Sequence, residues 1–260
     1  MKRLALIFFG LLSVVRAQVD ESHVDFLGAI VRGDQSTKKI ALVFTGHEFG
    51  DGLSSVIHTL KTEKLHASFF LTGSFYRNTA FKAHIMELRE LGNYLGSHSD
   101  SHLLYCDWTN RDSLLVTRQE FESDLNDSYD AMAAFGIDKK QARYFLPPYE
   151  WYNDIIAAWT RNMGLQLVNF TPGTRSTADY TYPEMGKRYV DNQAVMKSIL
   201  AYEQKDENGL NGFILLSHIG TDPRRQEKFY QELPRLVRVL KSKGYQFVRI
   251  DELLEPNATH

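Results

Sequence analysis

Short apolar runs alternate with longer amphipathic ones along most of this chain, and this alternation constrains the fold more than any other feature. A parallel sheet whose crossover connections are helices produces this pattern. Strands are predicted at Lys39–Phe44, Ala67–Leu71, Tyr94–Gly96, Arg143–Leu146, Leu165–Phe170, Gly212–Leu216 and Gln246–Ile250. Helices are predicted at Leu53–Lys64, Thr79–Leu91, Thr117–Phe135, Trp151–Met163, Val190–Glu203 and Gln226–Lys243. We therefore expect an α/β fold that forms a barrel or an incompletely closed barrel.

The termini of several predicted helices carry recognisable capping residues. Thr117 is followed three residues later by Glu120, which predicts a capping box. Gly92, Gly164 and Gly244 follow helix ends, where a left-handed residue is favoured.

The first 17 residues predict a secretory signal peptide. Lys2 and Arg3 precede an apolar stretch that is too short to span a bilayer, and Ala17 is a suitable residue before cleavage at Gln18. We expect residues 18–260 to form a single domain of a secreted or periplasmic protein, since no linker or repeat divides them.

Composition narrows the possible functions. A formal net charge of −2 gives no electrostatic argument for binding nucleic acid or anionic lipid. Cys106 is the only cysteine, so a thiolate metal cluster is excluded and any metal site must use imidazole and carboxylate groups.

Polar residues follow five of the seven predicted strands. The segments that carry them are 45–52, 97–102, 147–151, 171–175 and 217–222. The carboxyl ends of parallel strands open on one face of a sheet or barrel, so we expect these segments to converge there.

Two histidines within these segments, His98 and His102, stand four residues apart in Gly96-Ser-His-Ser-Asp-Ser-His102. Two imidazoles at this spacing can bind one divalent cation and leave positions open for water and substrate. The pair favours a metal-dependent hydrolase, although four-residue spacing also arises by chance on protein surfaces. His47 and His218, which also follow apolar strands, strengthen the first interpretation.

The order of these segments resembles the polysaccharide deacetylases with a NodB homology domain, the carbohydrate esterases of family 4. Three stretches carry the resemblance: His98-Ser-Asp-Ser-His102, Leu146-Pro-Pro-Tyr149 and Leu216-Ser-His218. The resemblance implies a distorted (β/α)7 barrel, metal-dependent deacetylation and an acetylated oligo- or polysaccharide as partner. It implies metal binding by His98 and His102, and a catalytic acid in His218.

The first motif of the family departs from its usual form. The family has Thr-Phe-Asp-Asp-Gly, in which one Asp is the general base and the next binds the metal, whereas Thr45-Gly46 follows Phe44 here. One alignment makes Asp51 the metal ligand and Glu48 the base. The alternative alignment brings His47 and Glu48 to the metal. An N-cap role for Asp51 is a third possibility, because a helix is predicted from Leu53.

The third and fourth motifs also differ. The family's third-motif Arg is Leu146, so the charge pair between that Arg and the base is missing. The fourth motif, an Asp-Trp pair in many members, is matched at best by Asp179-Tyr180. In the family its Asp orients the histidine of the fifth motif, and the sequence does not decide whether Asp179 or Asp222 does so here.

We predict Glu48 and His218 as catalytic residues, and Asp51, His98 and His102 as ligands of a divalent metal. Zinc suits this ligand set, and cobalt or nickel are alternatives. Tyr149 and Trp151 are predicted to bind substrate, since aromatic faces stack on sugar rings. Acetyl ester and N-acetyl amide bonds remain equally open as the target. Two other functions are compatible with the altered motifs: a carbohydrate-binding barrel without activity, and a hydrolase of other C–N or ester bonds.

Overall fold

Nine strands form one sheet in the computed structural model, which describes residues 23–255 of the chain. The predicted signal peptide lies outside the described residues. The strands are β1 (His23–Val24), β2 (Ile30–Arg32), β3 (Lys39–Gly46), β4 (Ser68–Leu71), β5 (Tyr94–Ser97), β6 (Tyr144–Phe145), β7 (Gln166–Leu167), β8 (Phe213–His218) and β9 (Gln246–Val248).

Helices connect and surround these strands within the same range. The α-helices are α1 (Leu53–Glu63), α2 (Gly73–Arg77), α3 (Lys82–Glu90), α4 (Arg118–Ala133), α5 (Asp154–Asn162), α6 (Asn192–Lys205), α7 (Leu233–Ser242) and α8 (Ile250–Leu254). The 3-10 helices are η1 (Pro148–Glu150), η2 (Ser176–Tyr180), η3 (Pro183–Arg188) and η4 (Phe229–Gln231).

The sheet curls into a distorted barrel, as the sequence and the family resemblance led us to expect. Its strand order is β1-β2-β8-β3-β4-β5-β6-β7, and β9 pairs with the first part of β3. Pairs among β3 to β9 are parallel, whereas β1 and β2 add antiparallel pairs next to β8. A parallel bridge between Ile30 and Val168 links the two ends of the curled sheet.

Two layers of apolar side chains bury the faces of the sheet. Alternate residues of each strand point into the barrel, where they form one cluster with α8. That cluster comprises Ala41, Val43, Phe70, Tyr94, Tyr144, Leu146, Val168, Ile214, Leu216, Ile250, Leu253 and Leu254. The remaining strand residues, such as Leu42 and Phe69, face outward into a larger cluster under the helices. The filled interior leaves the barrel ends as the places where a site can form.

All seven predicted strands and all six predicted helices are present, with shifted ends. The largest shift is at α7, which begins at Leu233 rather than Gln226, because residues 226–232 form a loop and η4. The strands β1 and β2 and the helices α2 and α8 were not predicted. Each has at most five residues, which is too short to show a hydrophobic period.

The predicted caps are confirmed. Thr117 Oγ1 accepts a hydrogen bond from the Glu120 N–H at 3.2 Å, and the Glu120 carboxylate accepts from the Thr117 N–H at 2.7 Å. Gly92, Gly164 and Gly244 have φ values of 77°, 75° and 89°, in the left-handed region that favours glycine.

Within residues 23–255, none of the helices has both the length and the apolar character that a bilayer crossing requires.

Phe70 tests whether the barrel interior stabilises the fold. Its ring is fully buried inside the barrel, so Phe70→Ala should lower the free energy of unfolding by about 3–5 kcal/mol. Phe26→Ala is the matched control, because Phe26 is 90% exposed and its loss should change stability by less than about 0.5 kcal/mol. Urea denaturation measures both values. Equal losses in the two variants would contradict this account of the core.

Candidate active site

The carboxyl end of the barrel gathers three polar side chains by strand alternation. Residues 41, 43 and 45 of β3 face inward, as do 94, 96 and 98 along β5 and 214, 216 and 218 of β8. The inward positions therefore end at Thr45, His98 and His218. Thr45 lies directly opposite His218 in the register of β3 and β8, so the two are neighbours across the strands.

His98 is held as a neutral imidazole with one nitrogen committed to the backbone. Its Nδ1–H donates to the carbonyl oxygen of Leu146 at 2.8 Å. In the neutral ring, Nε2 is therefore unprotonated and has a free lone pair. Burial lowers the pKa of His98 to about 3, although the hydrogen bond to Leu146 acts in the opposite direction. Metal-binding histidines commonly donate their second N–H to a carbonyl in this way.

The loop after β5 turns sharply to present His102. Ser99 and His102 have φ values of 69° and 58°, which are uncommon for residues other than glycine. The Ser99 hydroxyl accepts from the His102 N–H at 3.0 Å and thereby closes the turn. Such strain is found where the surrounding structure fixes a functional residue.

Two helices hold this loop in place. From α2, Arg77 makes a bidentate ion pair with Asp100, with both distances at 2.7 Å. From α4, the Asp124 carboxylate accepts from the Ser101 N–H at 2.9 Å. Gly73 of α2 has no room for a side chain, because a Cβ there would lie 1.9 Å from Asp100 Oδ1.

Three histidines contact one another at this end of the barrel. The ring centres of His98 and His102 are 5.0 Å apart, and His47 stacks on His102 at 4.4 Å with an interplanar angle of 9°. Burial lowers the pKa of His102 to about 2, and the neighbouring histidines lower it further. Burial also lowers the pKa of His47, with an opposing effect from Glu48. All three imidazoles are therefore neutral near pH 7.

Asp51 does not join these histidines. Its Oδ1 accepts from the Thr221 N–H at 2.9 Å, and its Oδ2 accepts from the Tyr230 hydroxyl at 2.8 Å and pairs with Lys228 at 3.1 Å. Burial raises the pKa of Asp51, but these bonds outweigh burial and the net pKa is lowered. Asp51 is not an N-cap either, because Gly52 occupies that position of α1. Its carboxylate instead ties the loop after β3 to the loop after β8.

Glu48 lies next to His47 on the exposed part of the loop after β3. His47 itself is anchored, since its Nδ1 lies 3.3 Å from the Thr72 hydroxyl at the end of β4. The structure thus brings His47 to the histidine pair and leaves Glu48 at the solvent boundary.

The donor chemistry of the three imidazoles fits a divalent metal. Two imidazoles that bind one zinc at about 2.0–2.1 Å have ring centres about 5 Å apart, which matches His98 and His102. Within residues 23–255, however, no three His, Cys, Asp or Glu side chains are arranged as a complete metal site. The His47 ring stacks almost parallel on His102, so it would have to turn before its nitrogen could share a cation with the pair.

Gly46 stands where the family has its second Asp, and apolar side chains surround this position. A Cβ built on Gly46 would lie 2.7 Å from Ile219 Cγ2 and 2.8 Å from Leu71 Cδ2. Contacts this short would require the neighbouring side chains to shift, because they fill the space next to Gly46. The metal-binding carboxylate of the family therefore has no structural equivalent at the end of β3.

His218 is paired with a buried carboxylate. Its Nδ1–H donates to Asp179 Oδ1 at 2.6 Å, and its backbone N–H donates to Asp179 Oδ2 at 2.9 Å. Burial lowers the pKa of His218, but the charge and hydrogen bonds of Asp179 outweigh burial and raise it. Asp179 is thus the fourth-motif residue, whereas Asp222 binds Arg224 at 2.9 Å.

Aromatic side chains form a wall beside the histidines. Tyr149 is 44% exposed and contacts His102 at 4.3 Å between ring centres. Trp108 is 53% exposed and contacts Tyr149 and Trp151 at 5.5 and 5.3 Å. The Arg111 guanidinium lies 3.4 Å from the centre of the Trp151 ring. Trp151 therefore packs behind the wall, and Tyr149 and Trp108 present free surface.

Sequence reasoning missed Trp108, and it included Glu150 in the segment 147–151 without giving it a role. Trp108 lies in the long loop between β5 and α4, where no strand end pointed to it. Glu150 follows Tyr149 in η1, and burial raises the pKa of its carboxyl to about 7. The sequence signal for Glu150 is the Pro147-Pro148 pair that precedes it. A Pro-rich turn at a strand end holds the side chains that follow in fixed positions.

Comparisons with known proteins agree with this architecture. The polysaccharide deacetylase family model matches residues 32–168. A peptidoglycan-N-acetylglucosamine deacetylase of Bacillus cereus is 25% identical over 217 residues, which cover 84% of this chain and 88% of that protein. The peptidoglycan-N-acetylmuramic acid deacetylase PdaA of Bacillus subtilis is 24% identical over 235 residues, which cover 90% and 78%.

Solved structures of carbohydrate esterase family 4 share the fold. Wild-type BA3943 of Bacillus anthracis, described as a pseudoenzyme of this family, superposes with a TM-score of 0.67 at 18% identity, over 88% of this chain and 69% of that one. A mutant of BA3943 is described as having restored enzymatic activity. A family 4 carbohydrate esterase from the same organism gives a TM-score of 0.63 at 22% identity, over 87% of both chains.

The family model covers more than half of the chain, and its match includes the paired histidines and the Pro-Pro-Tyr turn after β6. The chain belongs to the polysaccharide deacetylase family, as a member whose β3 end lacks both acidic residues of the usual first motif.

Proposed function

We propose that this protein is an exported, metal-dependent deacetylase that hydrolyses acetyl groups on a glycan. The observation that carries the proposal is the arrangement at one barrel end of three neutral imidazoles and a fourth imidazole, His218, paired with Asp179. The electrostatic influence of His218 on both His98 and His102 supports a single site.

His98 and His102 would hold the divalent cation, with His47 as the third imidazole. Zinc is favoured, and cobalt or nickel suit the same nitrogen ligands. A bound cation would act as a Lewis acid that polarises the acetyl carbonyl and acidifies water. The neutral state of the three imidazoles at pH 7 supports this role, since protonated histidines do not bind metals.

His218 would act as the general acid. Its Nδ1–H is held by Asp179, so Nε2 is the nitrogen free to protonate the leaving nitrogen or oxygen when the bond to the acetyl carbon breaks. Asp179 is a positioning residue, because it fixes the orientation of the imidazole and stabilises the protonated form.

The substrate class is supported by the aromatic wall. Tyr149 and Trp108 offer exposed rings beside the histidines, and such faces stack on pyranose rings. Acetylated peptidoglycan is a reasonable first substrate, because two of the relatives are named for deacetylating it. Acetate release from N-acetylated and O-acetylated glycans separates amide from ester specificity, and assays on non-sugar amides test the wider C–N hydrolase alternative.

A second function, carbohydrate binding without hydrolysis, is favoured by one observation. The end of β3 lacks both acidic residues of the family, and apolar packing fills the position at Gly46. This alternative predicts that the protein binds acetylated glycan and releases no acetate at full metal occupancy.

The export proposal rests on residues 1–17. N-terminal sequencing of the mature protein tests it, and we expect the chain to begin at Gln18.

Metal binding provides a test that does not need activity. We expect His98→Ala and His102→Ala to weaken zinc binding by at least about 100-fold, because even residues that only support metal ligands contribute 10- to 100-fold. His47→Ala should also weaken binding, whereas Asp51→Asn should leave it unchanged because Asp51 is engaged elsewhere.

Isothermal titration with Zn²⁺ measures these affinities. His58→Ala is the matched control, since His58 is exposed on α1, away from the site. Loss of binding in Asp51→Asn together with full binding in His47→Ala would reverse the assignment of the third ligand.

The pH dependence of kcat/KM tests the general acid. Asp179 raises the pKa of His218, so the protonated acid persists above its usual pKa of about 6.5 and activity should extend to higher pH. Asp179→Asn leaves burial as the dominant influence, which lowers the pKa and should move the basic limb of the profile to lower pH. His218→Ala should reduce kcat about 100- to 10,000-fold.

Asp222→Asn is the control for the charge change, because Asp222 pairs with Arg224 rather than with His218. An unchanged basic limb in Asp179→Asn would refute the assigned role of the His218–Asp179 pair.

A further inference from the structure

A cavity opens at the amino end of the barrel, opposite the candidate active site. Its volume of about 440 Å³ lies within the range of about 300–1,000 Å³ that small-molecule sites usually have. Tyr94 and Tyr144 line it, and they are the first residues of β5 and β6. His98 follows the other end of β5, four residues beyond Tyr94, so the two sites lie about 13 Å apart along this strand.

The charged side chains that line this cavity carry an excess of positive charge. Four cations and two carboxylates leave an excess of two positive charges: Arg89, Lys140, Arg143, Arg249, Asp251 and Glu255. Arg249 is neutralised by Asp251, because its Nε and Nη2 donate to the two carboxylate oxygens at 3.0 and 2.8 Å. Arg143 and Glu255 are 3.4 Å apart and both well exposed, so their pairing is weak. Among residues 23–255, Arg89 and Lys140 have no carboxylate partner.

Tyr144 and Arg143 bring hydrogen-bond donors without acceptors to this cavity. Arg143 Nη2 donates to the Tyr144 hydroxyl at 3.1 Å, and within the described range that hydroxyl has no acceptor for its own proton, although Tyr144 is only 1% exposed. The Nε–H of Arg143 is also buried and also lacks a partner among these residues. Buried donors without partners cost free energy, so a ligand that accepts hydrogen bonds here would offset that cost.

Arg89 and Lys140 add exposed cations at the edge of the cavity. Arg89 extends from the last turn of α3 to Gly136, whose carbonyl its Nη2 reaches at 3.5 Å, the long limit of a hydrogen bond. A Cβ at Gly136 would lie 3.1 Å from the same nitrogen, so glycine gives the guanidinium room. Lys140 stands on the turn before β6, where its N–H donates to Asp138 Oδ1 at 2.6 Å. The side-chain N–H groups of both cations are therefore available to a ligand.

The charge and the size of the cavity indicate the class of ligand. A phosphate monoester carries about −1.5 to −2 charges at pH 7, which matches the excess of positive charge better than the single charge of a carboxylate does. Guanidinium groups bind phosphate oxygens through parallel N–H groups. A bare phosphate has the size of only a few water molecules, each of about 30 Å³, so the cavity also has room for an organic group attached to the phosphate.

We propose that the cavity at the amino end of the barrel binds the phosphate monoester of a small organic molecule. The phosphate oxygens accept from Arg143 and from the Tyr144 hydroxyl, and Arg89 and Lys140 supply further positive charge. This site lies away from the histidines, so it binds its ligand whether or not they catalyse deacetylation.

Isothermal titration with glucose 6-phosphate tests this site. Glucuronate, a carboxylate of similar size, should bind at least about 10-fold more weakly, because it offers fewer oxygens and less charge. Glucose should not bind, since it has no anionic group. A wild-type protein that does not bind glucose 6-phosphate at about 10 mM, where even a site with a Kd of about 1 mM is mostly filled, would overturn the proposal. Glucuronate binding of equal strength would do so as well.

Variants of the lining residues locate the ligand. Arg143→Gln and Tyr144→Phe should each weaken the binding of glucose 6-phosphate about 10-fold or more, because each removes a donor to a charged group. Arg89→Ala, at an exposed position, should weaken binding without affecting the fold. Lys82→Ala is the matched control, because it removes an exposed positive charge from the same helix, α3, outside the lining. It should change the affinity by less than about 2-fold.

The active-site variant His98→Ala distinguishes the two ends of the barrel, and it should bind glucose 6-phosphate as wild type does. Loss of binding in His98→Ala would place the ligand at the histidines and overturn the proposal. Wild-type affinity in both Arg143→Gln and Arg89→Ala would overturn it too.

The protonation of the ligand provides a further readout. A phosphate monoester has a second pKa of about 6, so its affinity should be about 10-fold lower at a pH of about 5 than at a pH of about 7.5. Glucose 6-sulfate keeps one charge at both pH values and controls for titration of the groups that face the ligand, which are Asp251, Glu255, Tyr94 and Tyr144. Equal affinities for glucose 6-phosphate at the two pH values would refute the assignment of a dianionic ligand.

Discussion

The closed, parallel arrangement of strands is the constraint on which the site depends. Inward-facing positions on β3, β5 and β8 alternate with outward ones, so Thr45, His98 and His218 all reach the carboxyl end of the barrel interior. The interior below them is filled by apolar side chains. Because a one-residue register shift would turn these side chains to the outer face, packing of the core and geometry of the site are fixed together.

Burial and neighbouring charges then set the pKa of each titratable group at the site. The histidines that face one another are kept neutral by burial, which suits metal binding, whereas Asp179 raises the pKa of His218. Glu150 is half-buried, and burial raises the pKa of its carboxyl to about 7. Environments that shift the pKa values of neighbouring groups in opposite directions allow one fold to supply both an acid and a base at the same pH.

Packing explains what occupies two positions at which the family motifs differ in this chain. Gly46 is enclosed by Ile219 and Leu71, so a carboxylate there would need neighbouring side chains to move. The third-motif Arg has become Leu146, which packs inside the barrel and uses its carbonyl to hold His98. Both positions that carry charged side chains in the family's motifs are therefore occupied by uncharged residues at this end of the barrel.

The sequence by itself determined the order of strands and helices and the N-terminal cap of α4, and it predicted that His98, His102 and His218 lie at strand ends. These features are local, because hydrophobic period, capping residues and strand ends are readable along the chain. Only the tertiary structure decided that His47 rather than Asp51 joins the histidine pair, and that Asp179 rather than Asp222 holds His218. Those choices depend on which loops meet after the barrel closes, and residues far apart in sequence carry no local signal of that contact.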